Sequence, residues 1–186
     1  MSKALIVIDI QNDYFENGAM ELVGSLAASE NAKTMIEDFR NKNLPVIHVQ
    51  HLSVAPGSFF FLPETKGSEI HENVIPAEGE KVITKYYPNS FRDTDLLEHL
   101  KSNNITKLTF VGMMTQMCID ATVRAAKDYE FECTVIGDAC ATRDLEVNGV
   151  QVKAADVQTS FLAGLSFFYA EVKNTNDYLS ANAKNS

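Results

Sequence analysis

Short apolar runs alternate along the chain with stretches whose apolar residues recur at helical spacing. That alternation predicts a parallel sheet covered by helices on both faces. Residues 4–10 (ALIVIDI) form an apolar run broken only by Asp9, as expected of a strand buried on both sides. A helix is expected over 26–42, after which Pro45 opens a second strand, VIHVQ, and the run KVITK ends at Lys85. Asp93 or Thr94 is placed to cap a helix over 93–103. The strand KLTFVG (107–112) leads to a helix from Cys118 to Tyr129, and the strand ECTVIG (132–137) follows. Asn148-Gly149 marks a tight turn before a helix over 152–166, and FYAEV is the last expected strand. The expected fold class is α/β: a three-layer α/β/α sandwich with a mainly parallel central sheet of about five or six strands. One domain, 1–186, accounts for the length.

Segment 51–80 has no such periodicity. It holds Pro56, Gly57, Pro63, Gly67, Pro76 and Gly79 around the run Phe59-Phe60-Phe61. Long loops inside compact domains often serve as lids or partner surfaces. Three adjacent rings on a short segment cannot all face inward, so this one is expected to close over a pocket or to join a homo-oligomer contact.

Composition narrows the function classes. With 186 residues, 45% of them apolar, the chain can bury a full core without staples. Its 25 acidic residues against 16 basic ones, for a formal charge of −9, argue against a nucleic-acid partner. The start, MSKALIVIDI, lacks the features of a secretory leader, and no apolar run approaches the ~20 residues of a membrane span. Three cysteines without framework spacing fit a reducing cytoplasm, where each is a small buried hydrophobe or a reactive thiol.

In an open parallel sheet, sites form outside the carboxyl ends of the strands. Asp9 and Lys85 end strands in this reading, and Cys118 follows one where the chain turns into a helix. Taken singly, they are an ordinary cap, a solvated lysine and a buried small residue. Taken together, they are the parts of a nucleophilic mechanism. A thiol is mostly protonated at neutral pH, and a helix N-terminus and an ammonium would both favour its thiolate. A carboxylate can take the thiol proton and later return it to a leaving group.

The run FVGMMTQMCIDATVRAA resembles the signature of the isochorismatase-like cysteine hydrolases, a Gly-x-x-Thr-x-x-Cys turn before a helix. VIDIQNDYF, GSEIHENVIPAEGEKVITK, YYPNSF and VIGDACATRD agree with the same family in the same order. The resemblance implies a catalytic triad of Asp9, Lys85 and Cys118. It also implies an oxyanion hole from the backbone N–H groups of Met114 and Cys118, and a cis peptide between Met113 and Met114. Such donors are typically worth ~3 kcal/mol each. Tyr14, Phe15, Tyr86, Phe91 and Met117 are expected to shape the substrate pocket. Gln11 and Asn12 are expected to orient the first loop, and Asp138 to cap. Cys133 and Cys140 are read as buried spectators.

The chain departs from the family's nicotinamidase branch, which binds a metal through an Asp-x-His pattern after the second strand. Here that stretch reads HVQHLSVAPGSF, which puts His51, Ser53 and Phe59 at the ligand positions. Zinc needs three or four converging ligands, so no metal is expected and no cofactor is implied. The expected function is hydrolysis of an amide, ureido or carbamate C–N bond of a small molecule through a Cys118 thioester. Three alternatives stand behind it: vinyl ether hydrolysis of the isochorismate type, a thiol-based redox protein, and a binding module without catalysis. The expected protein is cytoplasmic and homo-oligomeric, takes a small-molecule substrate, and has neither a nucleic-acid nor a membrane partner.

Overall fold

The computed structural model describes residues 2–183. Strands β1 (Ser2–Ile8), β2 (Val46–His51), β3 (Lys81–Lys85), β4 (Ile105–Met113), β5 (Glu132–Ala141) and β8 (Glu171–Lys173) form one sheet in the order β3-β2-β1-β4-β5-β8. Every neighbouring pair in it is parallel. The α/β class and the mainly parallel sheet are therefore as the apolar pattern predicts.

Alternation along β1 explains the layers. Ala4, Ile6 and Ile8 point into one core with Leu96, Leu100, Val123, Ala126 and Leu165. Those partners belong to helices α2 (Leu96–Ser102), α3 (Asp120–Asp128) and α4 (Ala154–Ser166). Leu5 and Val7 point into the opposite core, where helix α1 (Ser25–Asn41) contributes Ala28, Ala32, Met35, Ile36 and Phe39. That spacing is one helical face. Gly112 lets β4 pass close to β1, since a Cβ there would sit 2.0 Å from the Ile8 carbonyl oxygen. Among the described residues no helix is long and apolar enough to cross a membrane.

Several boundaries differ from the expected ones, each for a local reason. Helix α2 starts at Leu96 rather than at 93, because Asp93 takes a positive φ of 55° and Thr94 Oγ1 donates back to the Ser90 carbonyl. The regular helix after β4 starts at Asp120, and Thr115–Ile119 form a wider π-type turn ahead of it. Phe168 and Tyr169 belong to the turn after α4, and the last strand is Glu171–Lys173. Helix α5 (Thr175–Ala183) had no signal in the pattern, but Asp138 caps it, accepting from the Thr175 amide and hydroxyl at 2.8 Å. Asn148-Gly149 turns the antiparallel hairpin of β6 (Leu145–Val147) and β7 (Val150–Val152), both residues at positive φ.

A charged cluster ties α1 to the sheet at its far end. Arg40 Nε and Nη2 each reach the Glu80 carboxylate at 2.8 Å, and His48 Nε2 lies 3.0 Å from it. Burial acts to raise the Glu80 pKa, but Arg40, the Ala77 amide and His48 outweigh it and bring it to about 2. The folded value lies below the ordinary 4.5, so this stabilisation is complete above that pH and is lost as pH falls toward 2. Glu80→Gln should cost about 2 kcal/mol at neutral pH. In urea unfolding the gap to the unsubstituted protein should narrow once pH drops below the ordinary carboxylate value. A gap independent of pH would assign the loss to packing instead.

Candidate active site

Four adjacent strands, β3, β2, β1 and β4, bring their carboxyl ends to one edge. Asp9 follows β1 in the left-handed region (φ 51°), which breaks the strand and turns its carboxylate under the edge. His51 and Lys85 face each other in the register of β2 and β3. Cys118 sits in the turn after β4. All of them meet at the Lys85 ammonium, whose Nζ lies 2.7 Å from Asp9 Oδ2 and 3.0 Å from His51 Nδ1. The Tyr87 carbonyl oxygen stands at 3.1 Å and Cys118 Sγ at 3.2 Å. Asp9 and Lys85 are fully buried, and Cys118 is 6% exposed. The three residues singled out in the sequence are thus brought together.

Their protonation follows from this packing. Burial acts to lower the Lys85 pKa, but the Asp9 carboxylate and Cys118 outweigh it and raise the value, so the ammonium stays charged. For Cys118 burial dominates in the opposite sense. Together with the Asp9 carboxylate it raises the thiol pKa well above its ordinary value, and Lys85 only partly opposes it. The expectation of a thiolate favoured by a helix N-terminus is therefore corrected: the regular helix starts two residues later, and the resting thiol holds its proton. Asp9 compensates its charge through the ion pair with Lys85. It remains an acceptor within 4.8 Å of the sulfur.

Above this floor opens a cavity of about 370 Å³. Tyr14, Tyr86 and Met117, three of the five expected wall residues, line it together with Met114, and the Met113–Met114 peptide is cis. Two expected wall residues do not. Phe15 stacks on His71 at 3.6 Å outside the cavity, and Phe91 is buried in the core against Tyr129 and Phe131. The Phe run divides as its crowding requires. Phe61 is buried against Tyr14, Phe60 forms cavity wall, and Phe59 is left 60% exposed. Asp13 fixes this arrangement, its Oδ2 accepting from the Phe61 amide at 2.6 Å.

Neither His51 nor Tyr87 stands out in the sequence as a cavity residue, whereas the phenylalanine run is expected to close over a pocket or join an oligomer contact, and Phe60 and Phe61 do line the cavity. Gln11, expected to orient the first loop, does so by bracketing His51: Nε2 donates to the His51 carbonyl at 2.9 Å and Oε1 accepts its amide at 2.8 Å. The turn that holds Cys118 is pinned from behind by Thr115, which donates to Gln158 Oε1 at 2.6 Å. Segment 88–91 is held by the pair Ser90–Thr122 at 2.9 Å.

Asp9, His51 and Cys118 could in principle gather around a metal, with donor atoms within 4.8 Å of one another. The Lys85 ammonium already stands among these donors and uses them as its own acceptors. Nor do Ser53 and Phe59 complete a ligand set: the Ser53 amide donates to the Phe61 carbonyl, and Phe59 offers no donor atom. The residues present do not fit a metal. All three cysteines are unpaired and buried, and only Cys118 lines the cavity.

The fold and cavity define an α/β sandwich with a thiol beside a buried ion pair at the carboxyl edge of its sheet. The chain belongs to the isochorismatase family of hydrolases, whose domain matches residues 3–166. It is 48% identical over 179 residues, 96% of this chain and 99% of the relative, to the isochorismatase family protein YddQ of Bacillus subtilis. It is 27% identical to the ureidoacrylate amidohydrolase RutB of Cronobacter sakazakii, covering 73% of each chain. A crystal structure of an isochorismatase-type protein from Oleispira antarctica superposes with a TM-score of 0.92 at 46% identity, covering 96% of both chains.

Removing one partner of a buried ion pair leaves the other uncompensated, typically at a cost of about 3–5 kcal/mol. Lys85→Met and Asp9→Asn should each destabilise the protein on that scale. The double variant should lose clearly less than the sum, because neither charge is left behind. Equilibrium unfolding of all four proteins measures the coupling, and additive losses would show that the pair is not the source.

Proposed function

We propose that this family hydrolase cleaves the C–N bond of a small amide, ureido or carbamate substrate through a Cys118 thioester. The observation that carries the reading is the convergence of Asp9 and Cys118 on the Lys85 ammonium at the floor of the cavity. The thiol rests protonated, so attack and proton transfer go together. Asp9 takes the thiol proton as Sγ bonds to the carbonyl carbon, and the electron pair of the C=O bond moves onto oxygen. Backbone N–H groups of Met114 and Cys118 would receive that oxyanion. Asp9 then passes the proton to the leaving nitrogen, the C–N bond breaks, and the amine departs. Water, deprotonated by Asp9, hydrolyses the thioester, releases the acid and restores the thiol. Lys85 remains an ammonium throughout and stabilises the sulfur as it loses its proton. The similarity to an amidohydrolase supports the choice of a C–N bond.

One observation favours a second reading. The domain that matches residues 3–166 is the isochorismatase domain, and vinyl ether hydrolysis of the isochorismate type starts by protonating the substrate and forms no thioester. The two reactions give different products. A panel of primary amides, carbamates and neutral ureido compounds should release ammonia with the native protein. Cys118→Ala should lose at least a thousandfold in rate, on the order seen when nucleophiles are removed. A chelator should leave turnover unchanged, since the donors are engaged by Lys85. Aldehyde release from a simple vinyl ether, undiminished in Cys118→Ala, would replace the first reading with the second.

The same reading takes the protein as one domain over 1–186 that works in the cytoplasm as a homo-oligomer. Phe59, the ring of its segment left in solvent, would lie in the interface. Light scattering at micromolar concentration should give a multiple of 20.6 kDa. An oligomer unchanged by Phe59→Asp would locate the interface elsewhere.

A further inference from the structure

Among the described residues the cavity wall carries no charged side chain, although the protein as a whole is acidic. Its ionic groups, Asp9 and Lys85, lie beneath the floor and neutralise each other. Within this wall His51 is held more tightly than a pocket histidine needs to be. Gln11 brackets its backbone from both sides, and Lys85 fixes its ring through Nδ1.

The fixing has a consequence for the proton. An ammonium can only donate, so Nδ1 must accept, and a neutral ring then carries its single hydrogen on Nε2. Burial first, and the Lys85 charge second, hold the ring below its ordinary pKa and so in the neutral form. Nε2 has no hydrogen-bond partner among the described residues, while the ring lines the cavity. A ring nitrogen of His51 lies within 4.8 Å of Cys118 Sγ. Nε2 belongs to the same small ring, so whichever nitrogen this is, the donor is within reach of an acceptor two or three bonds from a carbon that the sulfur attacks.

We infer that His51 is a specificity-determining residue, whose Nε2–H reads an oxygen acceptor two or three bonds from the carbon attacked by Cys118. The substrates it selects are small and uncharged. A molecule without the oxygen leaves a desolvated N–H unpaired, and one with a carboxylate finds no cation on the wall. The inference deepens the hydrolase reading by naming its substrate class, but its test requires only that Cys118 be alkylated, not that any amide be turned over.

The probes are three alkylating agents of similar size. Iodoacetamide carries a carbonyl oxygen two bonds from the attacked carbon, allyl bromide carries no such acceptor, and iodoacetate carries a carboxylate. In each reaction a carbon–sulfur bond forms and halide leaves, and mass spectrometry of Cys118 gives the rate at mildly alkaline pH. Changes in thiol acidity affect iodoacetamide and allyl bromide alike, so their rate ratio isolates recognition of the oxygen. His51→Asn keeps an acceptor for Lys85 at the Nδ1 position and removes the Nε2 donor. It should lower the iodoacetamide-to-allyl-bromide ratio on the order of tenfold. His51→Gln places an amide N–H near the Nε2 position and should keep most of the ratio. Iodoacetate should lag iodoacetamide by about tenfold more than it does with free cysteine, the scale of one lost charge-matched contact. A ratio unchanged in His51→Asn, or equal in the two variants, overturns the role of His51. Iodoacetate reacting as well as iodoacetamide overturns the uncharged class. Absence of ammonia release from every amide would count against the hydrolase reading alone.

Discussion

A lysine ammonium with no exposed surface is the constraint around which this molecule is organised. Taking a charge of that kind out of water costs several kcal/mol, and an isolated buried lysine would lose its proton instead. Lys85 keeps its proton because acceptors converge on it from four directions. They come from the ends of β1 and β2, from the segment after β3, and from the turn after β4. Parallel pairing is what makes this possible, since it aligns the carboxyl ends of adjacent strands at one edge. The left-handed backbone at Asp9, unusual for a residue with a side chain, is the local strain that aims its carboxylate at the ammonium.

The same packing that protects the ammonium suppresses the thiolate. A single buried positive charge shared by a carboxylate and a sulfur cannot neutralise both, and Asp9 is the stronger claimant at 2.7 Å. The resting site is therefore balanced: one anion, one cation and a neutral thiol. A neutral site suits an uncharged wall, since no residual field has to be screened by polar groups in the cavity. It also protects the sulfur, because oxidation proceeds through the thiolate.

The parallel strands and the converging residues were legible because both depend on features that a sequence carries directly. An apolar run interrupted by one Asp has few explanations, and a Gly-x-x-Thr-x-x-Cys turn is dense with specific demands. Thr115 reaches Gln158 and Gly112 clears Ile8, so each signature residue has a contact that only its type can make. The cavity walls were half legible for the opposite reason. Phe15 and Phe91 have the composition of wall residues, but a ring serves a core equally well, and only the path of the chain decides between them. The start of α2 was misplaced because a positive φ at Asp93 leaves no mark in a polar, helix-compatible stretch.

His51 shows how a residue can be noticed for the wrong chemistry. The sequence marks it as standing where a metal ligand stands in related proteins, and the missing companions argue only that the metal is gone. In the fold the strand register sets it opposite Lys85, and the ring turns toward an ammonium that a metal would have repelled. One cation among those donors excludes another. A lysine drawn fully into the donor set, with a histidine as its fourth partner, leaves that histidine neutral and its second nitrogen without a protein partner among the described residues, in a ring that lines the cavity. What would have been a ligand position becomes a hydrogen-bond donor, and recognition passes from ion coordination to the placement of a single N–H.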